Sequence, residues 1–192
     1  MFRNMNAQSL WTNQKGAVAV EFSFIAIILA LIMVLASELV MKQTLVGKLD
    51  RISYSLAGIL RERQQLYAER EEIAPTELAE MRALAAKMLA DMHYPHSGQV
   101  TIGLEALHFA PVSDLVNKNK IISLNQTIRD PGCVSPAGDL ITLKELSPLG
   151  SYGRWVPLYQ VTVCLPQSSL FNIANFFRST DQIVSYAVVM AR

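Results

Sequence analysis

Three sets of side chains in this sequence have the types needed for chemistry, and their spacing decides which chemistry is open to them. Cys133 and Cys164 are the only cysteines among 192 residues. They stand 31 positions apart, too far for a Cys-x-x-Cys redox pair, so a structural bridge is the simpler use, with two buried free thiols as the alternative. His93-x-x-His96 would place two metal ligands on one helical face, but Tyr94-Pro95 breaks the helix between them and no third ligand follows at a motif-like spacing. These histidines and His108 are therefore expected in loops or at the surface. Asp114, Asp130 and Asp139 lack the dense alternation of carboxylates that a calcium loop requires. Gly150-Ser151-Tyr152-Gly153 lacks the spacing of a nucleophile elbow, and no phosphate-binding glycine loop is present. The sequence thus gives no catalytic residue, metal or cofactor. What remains is Glu21, a lone carboxylate five residues past Gly16 in the run Lys15-Gly16-Ala17-Val18-Ala19-Val20-Glu21-Phe22. A charge there costs roughly 2.5–3.5 kcal/mol near a bilayer centre and less toward the interface, so it calls for a partner.

The element that carries Glu21 is an apolar run. Residues 17–41 contain only two charges, Glu21 and Glu38, and residues 22–37 have no charge, proline or glycine. As a helix this run would rise roughly 37 Å, enough to cross a hydrocarbon core of about 30 Å with some tilt. Its aliphatic side chains add no polar group that lipid would leave unsatisfied. Spanning is the first reading. A cleaved secretory signal is the second, with Arg3 and Lys15 as its basic leader and Val34-Leu35-Ala36 before Ser37 as a cleavage site. An uncleaved signal anchor is the third, and it leaves Gly16 and Glu21 without a role.

The segment from Gly16 to Phe22 resembles the type IV prepilin cleavage motif, in the short G-x-V-A-x-E-F form of tight-adherence (Flp pilus, type IVc) pseudopilins. Within that group the chain resembles TadE/TadF minor pseudopilins, and its length is most like TadF. The resemblance implies cleavage by a prepilin peptidase on the cytoplasmic face, with Gly16 the last leader residue, Ala17 the new N-terminus and Glu21 the fifth residue. Val18, Ala19, Val20 and Phe22 complete the motif. It also implies a non-enzymatic assembly subunit of the bacterial inner membrane, single-pass, with its C-terminal head in the periplasm. Its implied partners are the peptidase, other pseudopilins and the pilin, the assembly platform and membrane lipid. A buried Glu21 could then pair with the amino group of a neighbouring Ala17. Ala17, Ala19, Ala26, Ala30 and Ala36 would permit close helix approach.

Composition agrees with one modest domain beyond the membrane. Residues 1–16 are expected as leader, 17–41 as the span and 42–192 as the head. Net charge is +1, which recommends neither nucleic acid nor a cation store, and no small-molecule substrate is indicated. Charges flanking the span leave orientation open, with Arg3 and Lys15 on one side and Lys42, Lys48 and Arg51 on the other. An even pair of cysteines far beyond the span favours an exported head with a Cys133–Cys164 disulfide.

The head reads as α+β. Leu45, Leu49, Ile52, Leu56, Ile59 and Leu60 continue a helical period through residues 42–70, with charges between them. Pro75 starts a second helix lined by Leu78, Met81, Leu84, Ala85, Met88 and Leu89, which ends near Met92. From residue 98 the period becomes two. Strands are expected around Val100-Leu104, Ile122-Ile128, residues 155–165 and residues 182–190, with Pro157 marking an edge. Residues 129–153 read as a long loop tied down by Cys133, and residues 167–178, with Leu170, Phe171, Phe176 and Phe177, as a short helix. The expected architecture is a long N-terminal helix, a second helix and an antiparallel sheet of about four strands.

Overall fold

A computed structural model of the protein describes residues 15–62, 72–112, 119–150, 153–166 and 182–191. The leader up to residue 14, the helical continuation over 63–70, Asp114, Ser151-Tyr152 and the expected helix over 167–178 lie outside the described residues. The chain divides into two compact units, Met1–Gln43 and Thr44–Arg192. One helix, α1 (Lys15–Arg61), has residues in both.

In the first unit, α1 meets no cover from the described residues over Val18–Ser37. Every residue from Val18 to Ser37 is exposed, Phe22 at 72%. Its hydroxyls turn inward, as an apolar medium demands: Ser23 Oγ donates to Ala19 O at 2.8 Å and Ser37 Oγ to Val34 O at 2.7 Å.

In the second unit, the same helix buries a stripe. Leu49, Ile52, Leu56, Ala57 and Leu60 are wholly enclosed, at the three- and four-residue steps that keep one face toward the core. The second helix, α2 (Pro75–Asp91), starts on Pro75 in its first turn and buries Leu78, Met81, Ala85 and Leu89. Leu84, expected in that stripe, is 38% exposed at its rim. Where α2 ends, His93 N–H donates to Ala90 O at 2.8 Å and Tyr94 N–H to Leu89 O at 3.0 Å. This pair of bonds is a Schellman cap, and it forces His93 into the left-handed region at φ 58°. Lys48 from α1 donates its ammonium to Met92 O at 3.0 Å, a cation placed where the helix dipole is negative.

The sheet contains β1 (Thr101–Phe109), β2 (Ile122–Arg129), β3 (Leu158–Pro166) and β4 (Gln182–Met190). Their order is β2-β1-β3-β4, and every pair is antiparallel. Pro157 therefore does not mark an edge. It stands just before β3, which lies inside the sheet, so the strand loses no ladder hydrogen bond to the proline. Even-numbered β1 residues and odd-numbered β3 and β4 residues face the helices, where Ile102, Leu104, Ala106, Val161, Val163 and Ala187 join the α1 and α2 stripes in one core. The opposite face of β1 and β3 is covered by the segment between β2 and β3, which adds a smaller core of Leu107, Phe109, Leu140 and Leu158. That segment is not wholly irregular, because it contains a 3₁₀ turn (Leu140–Leu146) and a Leu149–Trp155 bridge. At the sheet's end, β4 pairs with β3 from Gln182 to Met190 without a bulge and carries no charged residue.

Two outcomes are expected in thermal melts of the purified chain. Leu56→Ala should lower stability by about 2–5 kcal/mol through the cavity it leaves. His93→Gly should raise it by about 1 kcal/mol, because glycine adopts positive φ without a Cβ clash.

Candidate functional site

The candidate residues fall into one group in each unit. In the first, Gly16, Ala17, Val18, Ala19, Val20, Glu21 and Phe22 occupy consecutive positions of α1. Their common helix is the reason the carboxylate can be presented sideways from an apolar rod. Among the described residues Glu21 has no hydrogen-bond or ion-pair partner. The Val18–Arg61 segment contains the one described helix long and apolar enough to cross a membrane, and its most apolar window has no residue buried within the chain. A single N-terminal helix of this kind fits a single-pass membrane anchor.

In the second unit the two cysteines meet. Cys133 and Cys164 are disulfide-bonded, with Cα atoms 5.6 Å apart. The approach is built by Asp130-Pro131-Gly132-Cys133, where Cys133 N–H donates to Asp130 O at 3.2 Å and Gly132 takes φ 82°. Proline at the second position and glycine at the third are the residues that such a turn needs. Asp130 fixes the turn to the sheet: its Oδ2 accepts from Ile102 N–H at 3.0 Å and its Oδ1 from Arg82 of α2 at 2.7 Å. Both sulfurs are enclosed.

Three further polar links join elements across the cores. Gln126 Oε1 accepts from Ile73 N–H at 2.7 Å, and its Nε2 donates to Ile73 O at 2.9 Å, pinning the entry to α2 on β2. Ser185 Oγ donates to Asp50 Oδ1 at 2.6 Å and lies 3.0 Å from Ser53 Oγ, tying β4 to α1. Lys120 donates to Lys144 O at 3.1 Å and Glu145 O at 3.2 Å, and its ammonium lies 4.6 Å from the Trp155 ring centroid.

The histidines are separated by the fold. His93 and His96 are exposed in the connection after α2. His108 departs from its expected surface position: it is buried on β1, with Nε2 3.3 Å from the Tyr159 hydroxyl and its ring edge-on to that tyrosine. Among the described residues no three His, Cys, Asp or Glu side chains come together as a metal site. Asp130 and Asp139 are engaged instead with Arg82 and Arg129.

Sequence reasoning missed one buried carboxylate. Glu105 lies under the covering segment with its residue 4% exposed, and its Oε2 accepts from Leu140 N–H at 2.7 Å. Burial pushes its carboxyl above the usual range, the Leu140 N–H opposes that, nearby Asp139 adds to it, and Arg129 pulls it down. The polar half of an alternating strand reads as solvent-facing, so only the burial of β1 on both faces reveals it.

Removal of the bridge by Cys133→Ala with Cys164→Ala should lower the stability of the head by about 3 kcal/mol, chiefly by freeing a loop of about 30 residues in the unfolded chain. Denaturant titration of the wild type and the double variant measures the difference.

The chain matches the family model TadF, described as "Putative tight adherence pilin protein F", over residues 9–192. Comparison with curated proteins and with solved structures found no match.

Proposed function

The chain belongs to the TadF family, and from that membership we propose that it is a minor pseudopilin that helps to assemble the tight-adherence pilus. Membership supports involvement in that pilus system and a structural rather than an enzymatic part. The finer role rests on one observation: α1 offers apolar side chains on every side from Val18 to Ser37, and Glu21 among them has no partner in the described residues. A rod of that kind is complete only when lipid or other apolar helices surround it.

On this reading a prepilin peptidase cuts after Gly16, and Ala17 becomes the N-terminus. The residues from Ala17 to Met41 are held in the inner membrane, and the head stands in the periplasm, an oxidising compartment consistent with the Cys133–Cys164 bridge. The new amino group of one subunit and Glu21 of another supply opposite charges, each offsetting the cost of burying the other. Ala19, Ala26 and Ala30 allow neighbouring helices to approach closely. The head, with its two helices fixed on the sheet, supplies the surface that sister subunits and the assembly platform recognise.

The N-terminus of the mature protein from membranes tests the processing step. Terminal sequencing should begin at Ala17; a start at Ser37 or an intact Met1 would overturn the pseudopilin reading. Glu21→Gln keeps shape and removes charge, so pilus assembly scored by microscopy should fall at least tenfold while the protein remains in the membrane. Unchanged assembly would sink the proposed charge pairing.

A further inference from the structure

Gln160 is wholly buried on β3, and its Nε2 donates to Gly138 O at 3.3 Å. Its Oε1 is enclosed and, among the described residues, has no donor. An acceptor left so costs about 1–3 kcal/mol. Directly opposite in the β1–β3 register stands Glu105, on the same face of the sheet and also buried. One Glu105 oxygen accepts from Leu140 N–H. An ionised Glu105 would offer Gln160 Oε1 no donor, because both groups would then be acceptors.

We propose that the Glu105 carboxyl group carries a proton and donates it to Gln160 Oε1, closing a latch that holds residues 138–140 on the sheet and opens when the proton leaves. The two side chains grip that turn at both ends, Gln160 at the Gly138 carbonyl and Glu105 at the Leu140 amide. Leu140 is itself buried in the smaller core, so an open latch frees an apolar anchor. The Leu140 N–H and the Arg129 charge oppose the acid form, while burial and Asp139 favour it. The covering segment presents Asp139, whose negative charge favours it, and β2 presents Arg129, which lies 3.7 Å from Asp139 and is partly neutralised there. Across β1, the β3 and β4 residues of this face, Gln160, Thr162, Tyr186 and Val188, carry no charge at neutral pH. Burial raises the carboxyl in the same direction. The latch is independent of the pilus reading, because it lies wholly within the head.

The sign of the effect follows from linkage. A carboxyl raised in the folded state keeps its proton after the unfolded chain has lost it near 4.5, so stability is full below that pH and declines as pH rises toward the folded value. The full chain in detergent micelles, melted at steps from about pH 5 to about pH 8, should lose about 3 °C per pH unit until Glu105 ionises. Glu105→Gln keeps one donor and one acceptor in place of the acid and should remove that slope. In the wild type, hydrogen exchange of residues 138–147, corrected for the intrinsic rate, should lose protection over the same range. Equal slopes in the wild type and Glu105→Gln, or protection of residues 138–147 that does not change with pH, would overturn the latch.

Discussion

A single helix in this protein must satisfy two surroundings, and that constraint organises everything else. Over Val18–Ser37 its side chains, Glu21 and two serines apart, are apolar on all sides and find no cover among the described residues. Beyond Thr44 the same helix narrows its apolar residues to the stripe of Leu49, Ile52, Leu56 and Leu60, which the sheet encloses. Each of these burials contributes roughly 1.5–3 kcal/mol, so the outer part of α1 is the principal member of the head's core. The sheet exists in this form because it must offer a matching face. Even positions of β1 and odd positions of β3 and β4 do so.

Apolar burial is non-directional, and the polar links supply the direction. Asp50 with Ser185 fixes β4 along α1, Arg82 with Asp130 fixes α2 to the turn before Cys133, and Gln126 with Ile73 fixes the start of α2 on β2. Each joins elements distant in sequence, and each would leave a buried or half-buried group unpaired if the packing slipped. The Cys133–Cys164 bridge does the same for the covering segment, which has no long apolar period to hold it. Specific geometry in this head is therefore carried by a few polar and covalent contacts laid over a large apolar core.

Much of this was legible in the residues. The α1 and α2 stripes follow from three- and four-residue spacing, the four strands from alternation, and the pinned loop from Cys133. Two of the misses share one cause. Alternation tells which residues share a face but not what covers that face. Glu105 reads as solvent-facing until the segment after β2 folds over it, and His108 reads as a surface histidine until Tyr159 packs against it. Pro157 reads as an edge mark because its place one residue before β3 cannot be judged without the pairing. Of the candidate site, the motif from Gly16 to Phe22 is read from contiguous residues alone, and the sequence could name the cysteine pair without supplying the turn that brings it together.

The end of the sheet has a practical consequence. Ala191 N–H points to Pro157 O of the β3 side, so the alternate positions Val184, Tyr186 and Val188 turn their amides and carbonyls outward. Natural sheets blunt such a margin with lysine, proline or a bulge, and the nine residues of β4 have none of these. Tyr186 and Met190 also remain 41% and 47% exposed on one face. Among the described residues no strand pairs with this outer margin, so at high concentration the isolated head would offer its own copies a template for strand pairing.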